Sequence, residues 1–120
     1  MMRRYLVVAT VLLAMVVTTA HEIEAATVRL LASDLARDCS ASQNYFSYGS
    51  CAGYLMGVAD MMAQQEWPYP IKACFPDEVV RGQLIAIVKK YISNHPDQLQ
   101  SPALDIAAAA FAQAFPCPTR

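Results

Sequence analysis

The chain has 120 residues, 56% of them hydrophobic and 16% charged, with a formal net charge of −1. That length holds one ordinary domain, and that composition excludes both a disordered tail and a polyelectrolyte. No basic excess exists and no Lys/Arg cluster occurs beyond Lys89 and Lys90, so the sequence argues against a nucleic-acid partner.

Residues 1–20 read as a secretory signal peptide: Arg3 and Arg4, an apolar run from Tyr5 to Val17, then Thr18, Thr19 and Ala20. Cleavage after Ala20 fits best, with Ala25 as the later alternative. The run is shorter than the roughly 20 apolar residues that span a bilayer, which disfavours a retained anchor. Its removal leaves residues 21–120 as a single domain with seven basic and ten acidic side chains. That domain is expected to be exported and soluble, with no membrane partner. All four cysteines, Cys39, Cys51, Cys74 and Cys117, lie in it, and an even count in a small exported chain reads as two disulfides. Zinc is the competing reading, but there is no C-x-x-C pair and only one well-placed His, so no metal is expected.

In chain order, residues 26–38 form a short amphipathic helix with Val28, Leu30, Leu31 and Leu35 as its apolar set and Thr27 as its cap. Residues 40–49 read as a loop carrying Tyr45, Phe46 and Tyr48. A stronger helix spans 50–66, capped by Ser50, with Cys51, Tyr54, Leu55, Val58 and Met62 at helical spacing. Gly53 and Gly57 interrupt it. Each costs roughly 1 kcal/mol in a helix interior, which suggests close packing of another backbone there, within the core or between copies. Trp67, Pro68, Tyr69 and Pro70 break the pattern, because each Pro disfavours helix for itself and its predecessor. A third helix starts at Asp77 or Val80 and reaches Asn94, burying Leu84, Ile87, Val88, Tyr91 and Ile92. His95 and Pro96 stop it. Ser101 and Pro102 then supply a cap and first position for a last helix reaching Ala114, with Leu104, Ala108, Phe111 and Phe115 on one side. The expectation is an all-α fold, a small four-helix bundle stabilised by disulfides.

Helix length constrains the bridges. A 15-residue helix is about 22 Å long, and bridged Cα atoms sit within about 7 Å. Antiparallel succession puts Cys51 and Cys74 at opposite ends of the bundle, which favours Cys39–Cys51 and Cys74–Cys117. They would close loops of about 13 and about 44 residues, each worth roughly 3–4 kcal/mol in the chain-entropy model.

The sequence offers little for catalysis. His95 fits a helix stop, His21 belongs to the segment beside the leader, and Asp34 and Asp38 flank Arg37 like a solvated face. No phosphate loop, H-E-x-x-H or paired-carboxylate arrangement occurs, so neither an enzyme nor a cofactor is expected. A binding surface remains. The best candidate is Gln65, Glu66, Trp67 and Tyr69, since Trp and Tyr anchor interfaces and the two prolines lower the ordering cost. The opposing reading folds Trp67 and Tyr69 back over the helix ends.

The order of motifs is informative. It runs Cys39, then C-x-G-Y-x-x-G-V-A-D over residues 51–60, then Cys74-Phe75-Pro76. Gln83-Leu84, Val88, Tyr91-Ile92 and His95-Pro96 follow, and Phe115-Pro116-Cys117 closes the series. This resembles the Rap/Tai family of periplasmic immunity proteins over about residues 27–117. Where that family usually has Thr before the Gln-Leu helix, this chain has Val80. The resemblance implies a helical, disulfide-bonded and often dimeric protein that binds a peptidoglycan amidase delivered by type VI secretion. It would act by filling the cleft over the amidase's catalytic Cys and His. The alternative is a periplasmic stress or chaperone-like helical module, for which Met56, Met61 and Met62 would supply adaptable contacts. The third is a structural protein with no separable activity.

Overall fold

The computed structural model describes residues 29–64 and 67–119. The leader, both cleavage positions, His21, Thr27 and Val28 lie outside the described residues. Among the described residues there are four α-helices and a 3-10 turn: α1 (Ala32–Cys39), α2 (Phe46–Ala63), α3 (Arg81–Asn94), the turn Pro96–Gln98, and α4 (Ala103–Ala114). The fold is all-α, a small bundle in which each helix touches the other three.

Several helix starts differ from their sequence-based positions. None of the four N-cap residues, Leu31, Tyr45, Val80 and Pro102, accepts a backbone hydrogen bond through its side chain. The first N–H groups find partners elsewhere. In α1, Ala32 N–H donates to the Ser101 carbonyl and Ser33 N–H to the Leu99 carbonyl, both at 2.9 Å. In return, Ala103 N–H at the start of α4 donates to the Leu30 carbonyl at 2.8 Å. Leu31 and Pro102 thereby form an isolated antiparallel bridge, which no local pattern announces. Ser101 is therefore no cap, because it serves α1 through its carbonyl, and Pro102 sits one place outside α4. Satisfying a helix end by neighbouring backbone meets the same requirement as a capping side chain.

α2 starts at Phe46, not at Ser50, so most of the aromatic stretch expected as a loop is helical. The periodicity explains this. Tyr48 packs against the core together with the buried Cys51, Ala52, Leu55, Val58, Ala59 and Met62, a stripe that begins one turn earlier than Cys51. Ser50 is an exposed interior residue.

α3 and α4 form an antiparallel hairpin. The Pro96–Gln98 turn joins them at one end, and the bridge Cys74–Cys117, with Cα atoms 4.9 Å apart, ties the other. α1 crosses from that turn to α2, to which Cys39–Cys51 holds it with Cα atoms 5.1 Å apart. The core is filled by Leu35, Leu55, Val88 and Phe111, all at or below 1% exposure. α4 adds Ala103, Ala107, Ala108 and Ala110, all buried. Small side chains there let α4 approach three neighbours at once without losing helix propensity. Phe75 then closes the core from outside the helices, edge-on to Phe111 at 5.6 Å and tilted against Phe115 at 5.2 Å.

Candidate functional site

Between α2 and α3 the described residues run without helix. Pro68 and Pro70, either side of Tyr69, disfavour α geometry for themselves and their predecessors in the first half of this segment. Its second half is pinned by Ala73, which is buried, and by Cys74, whose N–H donates to the Phe115 carbonyl at 2.8 Å. This connector carries the residues singled out from the sequence. Gln65 and Glu66 lie outside the described residues. Trp67 is half-buried against the core, and its Nε1–H donates to the Ile71 carbonyl at 2.9 Å, closing a tight loop. Tyr69 lies with its ring 5.0 Å from that of Trp67 and is 47% exposed. The two aromatics therefore divide the work. Trp67 folds back and braces the loop, and Tyr69 is presented outward between Pro68 and Pro70, with Ile71 exposed beside it.

Next to this loop lies an open groove of about 250 Å³ that the sequence did not announce. Met56, Ala59, Asp60 and Ala63 of α2 form one wall, and Phe75, Val79, Arg81 and Leu84 form the other. The available signal was the spacing of Met56, Asp60 and Ala63 on one helix face; the opposite wall depends on where the connector returns.

The groove continues onto the outer face of α2. Phe46 is 90% exposed, and Met56 and Met61 are also exposed on this side. Gly49, Gly53 and Gly57 lie between them, and a Cβ built on any of the three meets nothing within 4 Å. This corrects the expectation that Gly53 and Gly57 receive another backbone inside the bundle: they face solvent. α2 carries one charged residue, Asp60, in eighteen positions. A helix apolar all round belongs in a core or against a partner, and here one side has no partner among the described residues.

Polar chemistry is sparse. His95 lies stacked on Tyr91 at 4.0 Å, and its Nδ1–H donates to the Tyr91 carbonyl at 2.7 Å. That bond satisfies a C-terminal carbonyl of α3, so His95 ends the helix. Asp34 accepts from Arg37 and from the backbone N–H of Leu31, while Asp38 accepts from the same Arg37 at the surface. Burial raises the pKa of the Tyr54 hydroxyl, and the nearby charge of Asp105 adds to the rise. All four cysteines are in disulfides. Among the described residues no group of three His, Cys, Asp or Glu converges on a point, and no helix is long and apolar enough to cross a membrane. What the molecule presents is a braced apolar surface.

No curated protein and no solved structure matches the chain. Residues 31–117 match the family described as Rap1a immunity proteins.

Proposed function

The chain belongs to the Rap1a immunity proteins, and on that premise we propose that it protects by occlusion. It is exported to the periplasm by its leader, binds a peptidoglycan amidase of the type VI secretion class and fills that enzyme's active-site cleft. It acts by shape and needs no cofactor. The observation that carries this reading is the connector loop, whose exposed Pro68, Tyr69, Pro70 and Ile71 are held on a rigid base by Trp67 and by Cys74–Cys117. A loop ordered before binding spends little conformational entropy on entering a cleft. Tyr69 supplies the aromatic anchor and Trp67 positions it, with Gln65 and Glu66 as flanking contacts. Protection at low concentration requires affinity near nanomolar, about −12 kcal/mol, which an interface of roughly 1,600 Å² can supply.

The experiment is co-expression with a small Cys/His amidase of the type VI secretion class, together with a calorimetric titration of the purified pair. The wild-type chain is expected to prevent lysis. Tyr69→Ala is expected to weaken binding by roughly ten- to a hundredfold with helix content unchanged. Absence of both rescue and binding would remove the proposal.

A second reading concerns assembly, and the outer face of α2 favours it. Glycines at residues 49, 53 and 57 leave open space between Phe46, Met56 and Met61, the geometry that lets two helices cross at short range. Asp60 and Arg81 line the adjoining groove, and the ion pairs among the described residues involve Arg37 alone. Both charges are thus offered outward, with signs that suit a two-fold pairing of copies. The homodimer formed through α2 would leave the connector loop accessible to the effector.

A further inference from the structure

The two disulfides occupy opposite environments. Cys39 and Cys51 are 2% and 1% exposed and sit inside the core cluster. Cys74 is exposed and Cys117 half-buried, on segments with no helix, flanked by the exposed Lys72, Pro76, Pro116 and Pro118. Thiol–disulfide exchange requires a thiolate to approach one sulfur along the S–S axis, so access decides which bond reacts. We propose that Cys74–Cys117 is a thiol-exchange site, opened in the native protein by an external dithiol that cannot reach Cys39–Cys51.

The chemistry balances with that one co-reactant. A thiolate of the dithiol attacks either sulfur and forms a mixed disulfide, releasing the other cysteine as a thiolate. The second thiol of the donor, once deprotonated, displaces the remaining cysteine. The dithiol leaves as a disulfide, two electrons pass to the protein, and both cysteines end as thiols. Reoxidation by a disulfide of suitable potential reverses each step.

Opening this bond has a definable mechanical consequence. Beyond it, the connector is attached to the bundle by buried Ala73, by the Cys74 N–H to Phe115 carbonyl bond, by Phe75 between Phe111 and Phe115, and by Trp67 and Val79 packed against the core. The Trp67 bond to Ile71 and the Trp67–Tyr69 contact are local to the loop and do not fix it to α4. The buried bridge continues to join α1 to α2. Reduction therefore removes the covalent tie between the connector and the segment after α4 and loosens both, while leaving the helical core assembled. Loss of partner affinity on reduction would rest on the occlusion reading above; the exchange itself does not.

The test uses the purified oxidised protein, dithiothreitol and pulsed alkylation read by mass spectrometry, with no effector present. The expected result is alkylation at Cys74 and Cys117 at least tenfold faster than at Cys39 and Cys51. The fast rate is first order in dithiothreitol and insensitive to sub-denaturing urea, as for attack on the native state. The slow rate rises with urea, as for attack through unfolding. Hydrogen exchange of residues 67–80 is expected to accelerate in the two-thiol form while α2 and α4 stay protected. Equal rates at all four cysteines, or a urea-dependent rate at Cys74 and Cys117, would overturn the proposal. So would a connector whose exchange is unchanged on reduction, since the bridge would then be a passive cross-link.

Discussion

Tyr54 gives the bundle a testable pH dependence. Its hydroxyl is half-buried on α2, and burial together with the Asp105 carboxylate lifts its pKa above the ordinary value of about 10. An acid whose folded pKa is raised favours the native state as long as it stays protonated in both states. Above about pH 10 the unfolded chain ionises first, so stability falls as pH rises towards the folded value. Stability measured by urea unfolding is therefore expected to decline between pH 9.5 and 11 (roughly, from the ordinary tyrosine range) more steeply in wild type than in Tyr54→Phe. Equal slopes would remove the assignment. Phe111 sets the other residue-scale expectation. It is fully buried and meets Phe75 edge-on. Phe111→Ala should cost about 3–5 kcal/mol, read as a lowered urea midpoint with the m-value retained.

At the scale of elements, the stripes of α2 to α4 and the C-terminal ends of α3 and α4 were readable, and most helix starts were not. Leu55, Val58 and Met62 of α2, Leu84, Val88 and Ile92 of α3, and Ala108 and Phe111 of α4 stand at helical spacing and are buried. Periodicity is a property of the local sequence, and burial follows from it. Helix starts followed different physics, because α1 and α4 exchange backbone hydrogen bonds across 70 residues of chain and need no capping side chain. Val80 shows the residual cost. It is 63% exposed, and only the Gln83 side chain reaches back, accepting from the Val80 N–H at 3.4 Å. Val80→Thr adds the missing side-chain acceptor at the start of α3 and should stabilise by about 0.5–1 kcal/mol, seen as a raised melting temperature. No gain would mean that these N–H groups are already satisfied.

For the whole molecule, the open question is which surface meets which partner. α2's glycines make the answer separable. Since Gly53 has open space around it and Gly costs roughly 1 kcal/mol in a helix interior, Gly53→Ala should stabilise an isolated bundle by about 0.5–1 kcal/mol. Gly53→Leu should leave the fold intact but hold two copies apart. Sedimentation at micromolar concentration is expected to show a dimer for wild type and a monomer for Gly53→Leu. A wild-type monomer throughout that range would reassign the α2 face. The connector is expected to keep its effector affinity in both variants, because Tyr69 lies on a separate segment.

The sequence by itself determined the all-α class, the apolar stripes of α2, α3 and α4 and the family, because each is written in local spacing or in motif order. It also marked the Trp67–Tyr69 segment as irregular, since proline chemistry acts on its immediate neighbours. Tertiary structure decided what those aromatics do: Trp67 turns inward and Tyr69 outward because Cys74, Ala73 and Phe75 fix where the connector returns to the bundle. It likewise decided that Gly53 and Gly57 lie open and that one disulfide is sealed while the other is accessible. Exposure depends on what the rest of the chain places nearby, and no residue carries that information in its own neighbourhood.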